Sequence, residues 1–382
     1  MPRIKAATIK RLSTVWQEFV ESGRIVGGML LVAEQGELRF ASARGWADRE
    51  KRRRVTPRTQ FRLASLTKLL TSVVALRLCE SGQLSLDEPI TRWLVEFRPR
   101  LADGAQATIT LRHLLSHTAG LSYGFEQPAG NAYERAGVSD GLDHVGFDLQ
   151  HNLTRLAGVP LLFAPGEAWG YSLATDVVGA MIEQASGVPL PQAIERWVTQ
   201  PLAMNATGFV ASDNQSLAVA YRDAAAEPIR IEGADVLKLD SGDARLSSTR
   251  VADPQAYPSA GAGMIGTAAD YLKLLECLRE GGAPLLSSAS AASLLSNAIG
   301  DLPISNRGPG WKFGLGPMLL TDPRLAKHKQ GPGTWSWCGL YGCHYWVDPC
   351  AGISLVALTN TAVTGAWGPF ADALVDALYG EG

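Results

Sequence analysis

Hydrophobic positions near both ends of the chain repeat with the periods of a helix and of β-strands. Residues 8–22 carry an apolar stripe at helical spacing, and the apolar runs "GGMLLVAEQ" and "GELRFASARGWA" follow. These patterns predict a helix and then two strands, and Gly36 between the runs indicates a hairpin. Near the other end, "TWSWCGLYGCHYWVD" and "GISLVALTNT" predict another pair of strands, and "PFADALVDALYG" predicts a terminal helix.

The middle of the chain has a different pattern, in which helical periods are separated by loops rich in glycine and proline. The helical patterns lie at 65–80, 111–116, 174–186 and 190–200. Strands at both ends with helices between them predict an α+β fold, in which an antiparallel sheet built from both chain ends is flanked by helices. The predicted division is a sheet domain from 1–70 plus 251–382 and a mostly helical inserted domain at 71–250, with the active site in the cleft between them.

Composition and charge argue against nucleic acid as a partner. The chain has 382 residues, of which 46% are hydrophobic, and its net charge is −2. A protein of this charge has no global basic field to attract phosphates. The one basic run, "REKRRR" at 49–54, follows a strand-like segment and is interpreted as a solvated turn.

No segment is long and apolar enough to predict a membrane span or a signal peptide. The longest apolar stretch near the start, 25–33, is too short to cross a bilayer and follows an amphipathic, charged segment. The five cysteines are an odd number, which argues against a disulfide framework. We therefore expect a cytoplasmic protein without a membrane partner, and the sequence leaves its oligomeric state open.

The segment "ASLTKLLTSVVAL" at 64–76 contains one lysine in an otherwise apolar helical pattern. Its leucines and valines cover nearly the full circumference, which is typical of a buried helix. Ser65 lies at the start of this helix and Lys68 one turn later, so the two side chains share a face. Burial favours the neutral amine of lysine. A neutral amine beside a hydroxyl predicts a general base beside a nucleophile.

A structural interpretation of the same residues is an N-cap serine followed by a lysine that extends to the surface. The chain has nine lysines, and only Lys68 has a serine three residues before it. This single match falls at the start of the most apolar helix, where the helix dipole favours negative charge at Ser65. The placement favours the catalytic interpretation.

A second candidate nucleophile is Ser122 in "GLSYG", which fits the pattern G-x-S-x-G of α/β-hydrolases. That motif requires a strand before the serine and a helix after it. Here the preceding segment is helical in pattern and the following one begins as a loop. Ser122 is therefore interpreted as a loop serine. His113 and His117 share a helix face but have no glutamate between them, so a zinc site is not expected there.

Longer motifs extend the pattern around Ser65. "FRLASLTK", "LRHLLSHTAGL", "PGEAWGYSLATDVVGAMIEQASG" and "PLAMNATGF" together resemble the β-lactamase-like serine hydrolases. This family includes class C β-lactamases, the penicillin-binding-protein-like D-alanyl-D-alanine carboxypeptidases and the family VIII carboxylesterases, and the resemblance is strongest to the esterases. It runs over nearly the whole chain and implies a β-lactamase/transpeptidase-like fold.

The resemblance implies roles for three side chains. Ser65 matches the nucleophile of the family and Lys68 matches its base partner. Tyr171 in "YSL" matches the tyrosine of the family motif Y-x-N, which relays a proton near the serine and the lysine.

The third family motif, K-T-G on the edge strand beside the site, corresponds here to Trp337, Cys338 and Gly339. The resemblance then implies that the backbone N–H groups of Ser65 and Leu340 form the oxyanion hole. The two motifs depart from the family pattern at Leu173, Trp337 and Cys338. Because an indole cannot hold a carboxylate by charge, these departures argue against β-lactam substrates and favour neutral esters.

The substrate pocket is predicted from the motif positions Leu173, Trp337, Cys338 and Gly339 and from nearby aromatic residues. The aromatic candidates are Tyr123, Phe125, Trp169, Trp335, Trp337 and Tyr341. Aromatic residues on strands also occur commonly in cores, which is the alternative for these positions. Gly339 and Gly342 allow the close approach of a ligand or of another backbone segment.

These observations predict a carboxylesterase that cleaves small esters of short or medium acyl chain through an acyl-enzyme on Ser65. The reaction requires neither a metal nor an organic cofactor. Three alternatives stay open: an acyltransferase or amidase with the same chemistry, a β-lactamase or D-alanyl peptidase, and a non-catalytic binding homologue.

Overall fold

The fold is organised around one large antiparallel sheet, seen in a computed structural model that describes residues 4–211, 215–305 and 307–380. The strands are β1 (Gly27–Glu34), β2 (Glu37–Asp48), β3 (Arg53–Arg54), β4 (Phe61–Arg62), β5 (Tyr221–Arg222), β6 (Ile229–Arg230), β7 (Ala234–Lys238), β8 (Asp243–Ser247), β9 (Ile265–Gly266), β10 (Trp311–Phe313), β11 (Met318–Leu320), β12 (Thr334–Gly339), β13 (Cys343–Asp348), β14 (Ile353–Thr359) and β15 (Thr361–Ala362).

Helices cover the sheet and form most of the middle of the chain. The α-helices are α1 (Ala6–Glu21), α2 (Thr67–Glu80), α3 (Leu111–Leu115), α4 (Ala132–Ala136), α5 (Leu149–Ala157), α6 (Ala174–Ser186), α7 (Leu190–Ile194), α8 (Ala268–Arg279), α9 (Ser288–Leu294) and α10 (Pro369–Tyr379). A π-helical turn, Glu195–Thr199, continues α7. Short 3-10 turns are Ala64–Leu66, Ile90–Arg92, Gly124–Glu126 and Arg250–Ala252.

The large sheet has eight described strands in the order β10-β11-β12-β13-β14-β1-β2-β3. Both ends of the chain meet at its centre, where β1 pairs antiparallel with β14 and places Leu31 opposite Val356. The α+β fold predicted from the sequence is therefore confirmed, with an antiparallel sheet that both chain ends build. The predicted division into domains at 70/71 and 250/251 stays a prediction.

The outer face of the sheet is covered by the first and last helices. Trp16 of α1 and Phe370 of α10 are fully buried there, with ring centroids 5.5 Å apart. They pack on side chains of the central strands such as Leu30 and Leu355. Alternate residues of β1, including Leu31, point into the larger core on the opposite face. β1 is buried along its whole length, which explains its uninterrupted apolar run.

The strand assignment corrects one sequence prediction and adds two strands that were not predicted. "TWSWCGLYGCHYWVD" is not one strand but the hairpin β12–β13, and Gly342 in its turn adopts a left-handed φ of 105°. Continuous aromatic and apolar residues conceal this turn in the sequence. Strands β10 and β11, which extend the sheet at its edge, were not predicted because each has only three residues.

The inserted part also contains strands beside its helices. β7 and β8 form an antiparallel hairpin within the segment that was predicted to be mostly helical. Among the described residues, no helix has both the length and the apolar character that a membrane span requires.

Replacement of Trp16 by alanine tests the packing of the outer layer. The side chain is fully buried and its Nε1 donates to the Ser42 carbonyl oxygen at 3.1 Å. We expect Trp16→Ala to lower the free energy of unfolding by about 3–5 kcal/mol, measured by urea denaturation. Leu325→Ala, at a position 59% exposed, is the control and should change stability by less than about 0.5 kcal/mol. Equal stabilities of the two variants would contradict this packing.

Candidate active site

Ser65 lies on a sharp bend between β4 and α2. The 3-10 turn Ala64–Leu66 forms this bend, and Ala64 has a left-handed φ of 46°, which is unusual for a residue with a β-carbon. The α-helix itself begins at Thr67, so Ser65 precedes it rather than capping it by a side-chain bond. The bend places the half-buried Ser65 side chain at the wall of a cavity.

Lys68 lies in the first turn of α2 and is only 1% exposed. Its Nζ donates to Ser65 Oγ at 3.2 Å, to Tyr123 Oη at 2.8 Å and to the Gly261 carbonyl oxygen at 2.9 Å. An ammonium group has three donors, and these three partners satisfy all of them. The Gly261 oxygen is an acceptor only, whereas either hydroxyl is able to donate to the lone pair of the neutral amine.

Burial disfavours the charged form of the Lys68 side chain. Burial lowers the pKa of Lys68 to about 7, because its effect exceeds the opposing attraction of Asp176. Asp176 on α6 is buried, and it accepts bonds from the Gly261 N–H at 2.8 Å and from Ser259 Oγ at 2.9 Å. The backbone of Gly261 therefore lies between the carboxyl and the amine, with its N–H bonded to the carboxyl and its carbonyl oxygen bonded to the amine. At neutral pH the amine is available as a base.

Tyr171, on the loop before α6, contacts the same serine from another side. Its hydroxyl donates to Ser65 Oγ at 2.7 Å and accepts from the Trp337 indole Nε1 at 3.3 Å. Burial raises the pKa of Tyr171 well above the usual value for a phenol, so the hydroxyl keeps its proton. The geometry fixes a direction of donation from Trp337 to Tyr171 to Ser65, which leaves the serine proton free to point at the neutral Lys68 amine.

The predicted oxyanion donors lie together at the cavity. Ser65 and Leu340 both line it, and among the described residues neither backbone N–H donates a hydrogen bond. Gly339 allows the end of β12 to lie close to the backbone of Leu63, since a β-carbon at position 339 would lie 2.3 Å from the Leu63 carbonyl oxygen. The close approach brings the end of β12 against the bend that carries Ser65.

The cavity has a volume of about 690 Å³ and opens beside Ser65. Tyr123, Phe125, Trp337 and Cys338 line it, as the sequence analysis placed them. The tip of the β7–β8 hairpin forms another wall, and the backbone oxygen of Phe125 accepts a bond from Ser241 Oγ at 2.8 Å. Sequence reasoning missed this wall because the hairpin lies more than a hundred residues from the site.

Three residues predicted to bind substrate have other positions. Trp169 is 5% exposed and packs against Phe313, at 5.5 Å between ring centroids, outside the cavity lining. Leu173 is fully buried at the start of α6. Gly339 faces the Leu63 backbone rather than the cavity. These predictions are corrected, because packing and a close backbone approach account for all three residues.

Trp335 and Tyr341, the other two aromatic candidates for the pocket, are also core residues. Trp335 is 1% exposed and stands 5.7 Å from the Tyr345 ring. Tyr341 is 5% exposed, and its hydroxyl bonds to the backbone of Ser247. The alternative that aromatic residues on these strands belong to the core applies to both.

Ser122 has no access to the cavity. It is 5% exposed, its Oγ donates to the Tyr123 carbonyl oxygen at 3.1 Å, and its backbone N–H donates to Tyr133 Oη. The neighbouring His117 is buried, and its Nδ1 lies 3.0 Å from Ser172 Oγ. The G-x-S-x-G pattern is thus part of a hydrogen-bonded loop, as the sequence context indicated.

A buried lysine and a tyrosine that converge on one serine, beside an antiparallel sheet, define a serine-hydrolase class of site. The profile of the Beta-lactamase family matches residues 12–378, and the chain belongs to this family. Esterase EstB of Burkholderia gladioli is 45% identical over 377 residues, which cover 98% of this chain and 96% of EstB.

Solved structures give the same fold. EstCE1, described as a hydrolase with promiscuous acyltransferase activity, is 44% identical and superposes with a TM-score of 0.93 over 98% of this chain and 99% of its own. Simvastatin synthase from Aspergillus terreus is 22% identical, with a TM-score of 0.76 over 98% of each chain, and shows the fold alone.

The reactivity of Ser65 should follow the protonation of Lys68. Burial lowers the pKa of Lys68 to about 7, so the neutral amine predominates above that pH. We expect the rate of labelling by a fluorophosphonate to rise with pH through about 7 and then level off, measured by intact mass. Ser65→Ala should abolish the adduct and Ser122→Ala should retain it. An adduct that maps to Ser122 would contradict this assignment.

Proposed function

We propose that this protein is a serine carboxylesterase that cleaves small carboxylic esters of short to medium acyl chain that lack a negative charge. The observation that carries the proposal is the position of Ser65 Oγ, 3.2 Å from the Lys68 amine and 2.7 Å from the Tyr171 hydroxyl at the cavity wall. The names of the relatives EstB and EstCE1 support the same reaction class.

In the proposed acylation step, Ser65 Oγ attacks the ester carbonyl carbon and its proton passes to the Lys68 amine. The carbonyl oxygen becomes an anion and accepts bonds from the N–H groups of Ser65 and Leu340. The bond to the alcohol then breaks, and the proton moves from Lys68, with Tyr171 as relay, to the leaving oxygen. An acyl ester on Ser65 remains.

In the proposed deacylation step, water replaces the alcohol in the same positions. Lys68 with Tyr171 takes a proton from the water as it attacks the acyl carbon, and the oxyanion donors act again. Collapse of the second tetrahedral intermediate breaks the bond to Ser65 and returns the proton to Oγ. The cycle uses groups of the chain itself.

The substrate class follows from the groups around the nucleophile. Trp337 donates its indole N–H to Tyr171 and supplies no positive charge for a substrate carboxylate. Aromatic side chains, among them Phe125 and Trp337, line the cavity and suit apolar acyl or alcohol groups. A β-lactam, which carries a carboxylate, is therefore a poorer substrate in this proposal. A cytoplasmic location stays a prediction of the sequence.

A second candidate reaction is transfer of the acyl group to an alcohol other than water. It is favoured by the similarity to EstCE1, which is described as a hydrolase with promiscuous acyltransferase activity. The apolar wall near Ser65 also favours it, since an alcohol would compete there with water. Product analysis with an added alcohol separates the two reactions, since the transferase yields a new ester.

Two variants test the nucleophile and the base. Ser65→Ala should lose turnover of a short aryl ester, and Lys68→Arg should lose about 10²–10⁴ in rate, because a guanidinium stays charged and cannot accept the proton. Circular dichroism establishes that each variant is folded. Ser122→Ala is the matched control and should retain its rate. Near-normal turnover by Lys68→Arg would remove Lys68 from the base role.

The oxyanion hole is tested at Gly339. A β-carbon there would lie 2.3 Å from the Leu63 carbonyl oxygen, which forces the Leu340 N–H away from its position. We expect Gly339→Ala to lower kcat by about 10²–10³, the usual cost of one oxyanion donor. Gly146→Ala is the control, since a β-carbon at that position meets no atom within 4 Å. An unchanged kcat in Gly339→Ala would contradict the role of Leu340.

A further inference from the structure

The cavity wall carries a carboxyl group that the proposed reaction does not use. Glu126 ends the 3-10 turn Gly124–Glu126 and lines the cavity together with Ser65. Phe125 of the same turn stacks on Tyr123 with 4.6 Å between ring centroids, and the Tyr123 hydroxyl bonds to Lys68. The turn that carries Glu126 is thus attached directly to the catalytic network.

The turn is also held in place from two other sides. The Asp140 carboxylate accepts the backbone N–H of Gly124 at 2.8 Å, and Ser241 Oγ donates to the Phe125 carbonyl oxygen at 2.8 Å. Side chains from two other segments fix this turn, and its last residue, Glu126, is thereby kept in one place at the cavity wall. Such preorganisation is what a substrate-recognition group requires.

Glu126 has no partner within the described part of the chain. Its carboxyl makes neither a hydrogen bond nor an ion pair there, although the residue is half-buried. By contrast, two cations that line the same cavity are neutralised, since Arg222 pairs with Asp235 at 2.9 Å and Lys238 pairs with Asp243. A partly desolvated carboxylate without a partner is unfavourable unless a ligand supplies the positive charge.

Other residues of the cavity lining also favour a positively charged ligand. Asp223 lines the cavity and accepts from Thr364, whose backbone N–H lies at 2.9 Å, but it forms no ion pair in the described part of the chain. Phe125, Trp337 and Trp367 present aromatic surfaces, which attract cations as well as apolar groups. Carboxyl groups and aromatic faces around one cavity together bind a cationic nitrogen, by charge and by cation–π contacts.

One cation of the lining opposes this preference. This cation is Arg307, which is exposed and forms no ion pair among the described residues. Asp240, an exposed acid of the same lining, carries the opposite charge. Arg307 lies near the Trp311 ring, 6.0 Å from its centroid. Burial raises the pKa of Glu126 to about 7, and no ion pair joins Arg307 to Glu126 in the described structure. The unpaired carboxyl groups therefore set the charge that a substrate meets beside Tyr123.

We propose that the site prefers esters that carry a cationic nitrogen, with Glu126 as the group that recognises the positive charge. The inference rests on the proposed esterase function and narrows its substrate class, small carboxylic esters, to those with a permanent or protonated ammonium group. Glu126 is a specificity residue here and takes no part in bond making.

The experiment compares esters that differ only in charge. The first pair is choline butyrate and 3,3-dimethylbutyl butyrate, which replaces the ammonium nitrogen by carbon in the alcohol. The second pair is ethyl 4-(trimethylammonio)butyrate and ethyl 5,5-dimethylhexanoate, which does so in the acyl chain. The measured quantity is the ratio of kcat/KM for the cationic ester to that for the neutral ester, at pH 8. We expect a ratio well above one for at least one pair.

Substitution of Glu126 assigns the preference to one residue. We expect Glu126→Gln to lower the ratio about tenfold, and Glu126→Asp, which keeps the charge, to retain most of it. Glu96→Gln is the control for loss of a negative charge, because Glu96 is exposed and outside the cavity lining. Both kcat/KM values of a ratio are measured on the same enzyme preparation. The fraction of folded enzyme therefore cancels, and a partly folded variant still gives an interpretable ratio.

The ratio should also depend on pH. Glu126 is neutral below its raised pKa and charged above it, so the preference for the cation should rise through about pH 7. The titratable or charged groups around it are Tyr123, Asp140, Tyr171, Arg222, Asp223, Lys238, Asp240, Arg307 and Cys338. The titration of Lys68 affects both esters equally and cancels. In Glu126→Gln this rise should disappear.

The outcomes separate the inference from the proposed function. Turnover of both esters in each pair, with ratios near one that Glu126→Gln leaves unchanged, would overturn the preference and leave the esterase intact. Turnover of none of the four esters, together with no acyl adduct on Ser65, would overturn the esterase proposal and the preference with it.

Discussion

The rest of the site depends on the burial of one amine. Lys68 is 1% exposed within a helix that is apolar on all sides, and a charged ammonium there has lost its hydration. Three hydrogen-bond partners compensate for part of that loss but leave the charged form disfavoured. The apolar character of α2 is therefore a chemical requirement as well as a packing requirement, because a wetter helix would return the lysine to its usual charge and leave Ser65 without a base.

The backbone of Gly261 holds this amine in place. Its carbonyl oxygen accepts from Lys68 and its N–H donates to the buried Asp176, so the backbone of one residue joins an acid and a base that do not pair directly. A β-carbon at Gly261 would lie 3.2 Å from Tyr123 Oη and 3.4 Å from the Lys68 Nζ. The absence of a side chain thus keeps room for both hydrogen bonds. A peptide in this position fixes the lysine without supplying the full charge that would restore its pKa.

The sequence predicted those parts of the structure that depend on local pattern. The central strands β1 and β14 and the helix around Lys68 follow from apolar periodicity, and the pairing of Ser65 with Lys68 follows from spacing within one turn. Features that depend on distant contacts were not predictable in this way. The hydrogen bond from Trp337 to Tyr171 joins residues 166 positions apart, and a tryptophan on a strand carries no sign of its donor role. Nor does Glu126 differ in sequence from any surface acid.

Trp337, which the sequence resemblance matches to the lysine of the family motif K-T-G, connects these observations. The indole of Trp337 donates one hydrogen bond to the Tyr171 hydroxyl, which in turn donates to Ser65. This orientation of the Tyr171 hydroxyl is what the proposed proton relay requires. The indole supplies it without a positive charge. A fixed cation at this position would attract substrate carboxylates and would pair with a nearby acid such as Glu126. With tryptophan there, the nucleophile keeps its hydrogen-bond network and no cation at this position pairs with Glu126. The same residue that disfavours anionic substrates thus leaves Glu126 free to select cationic ones.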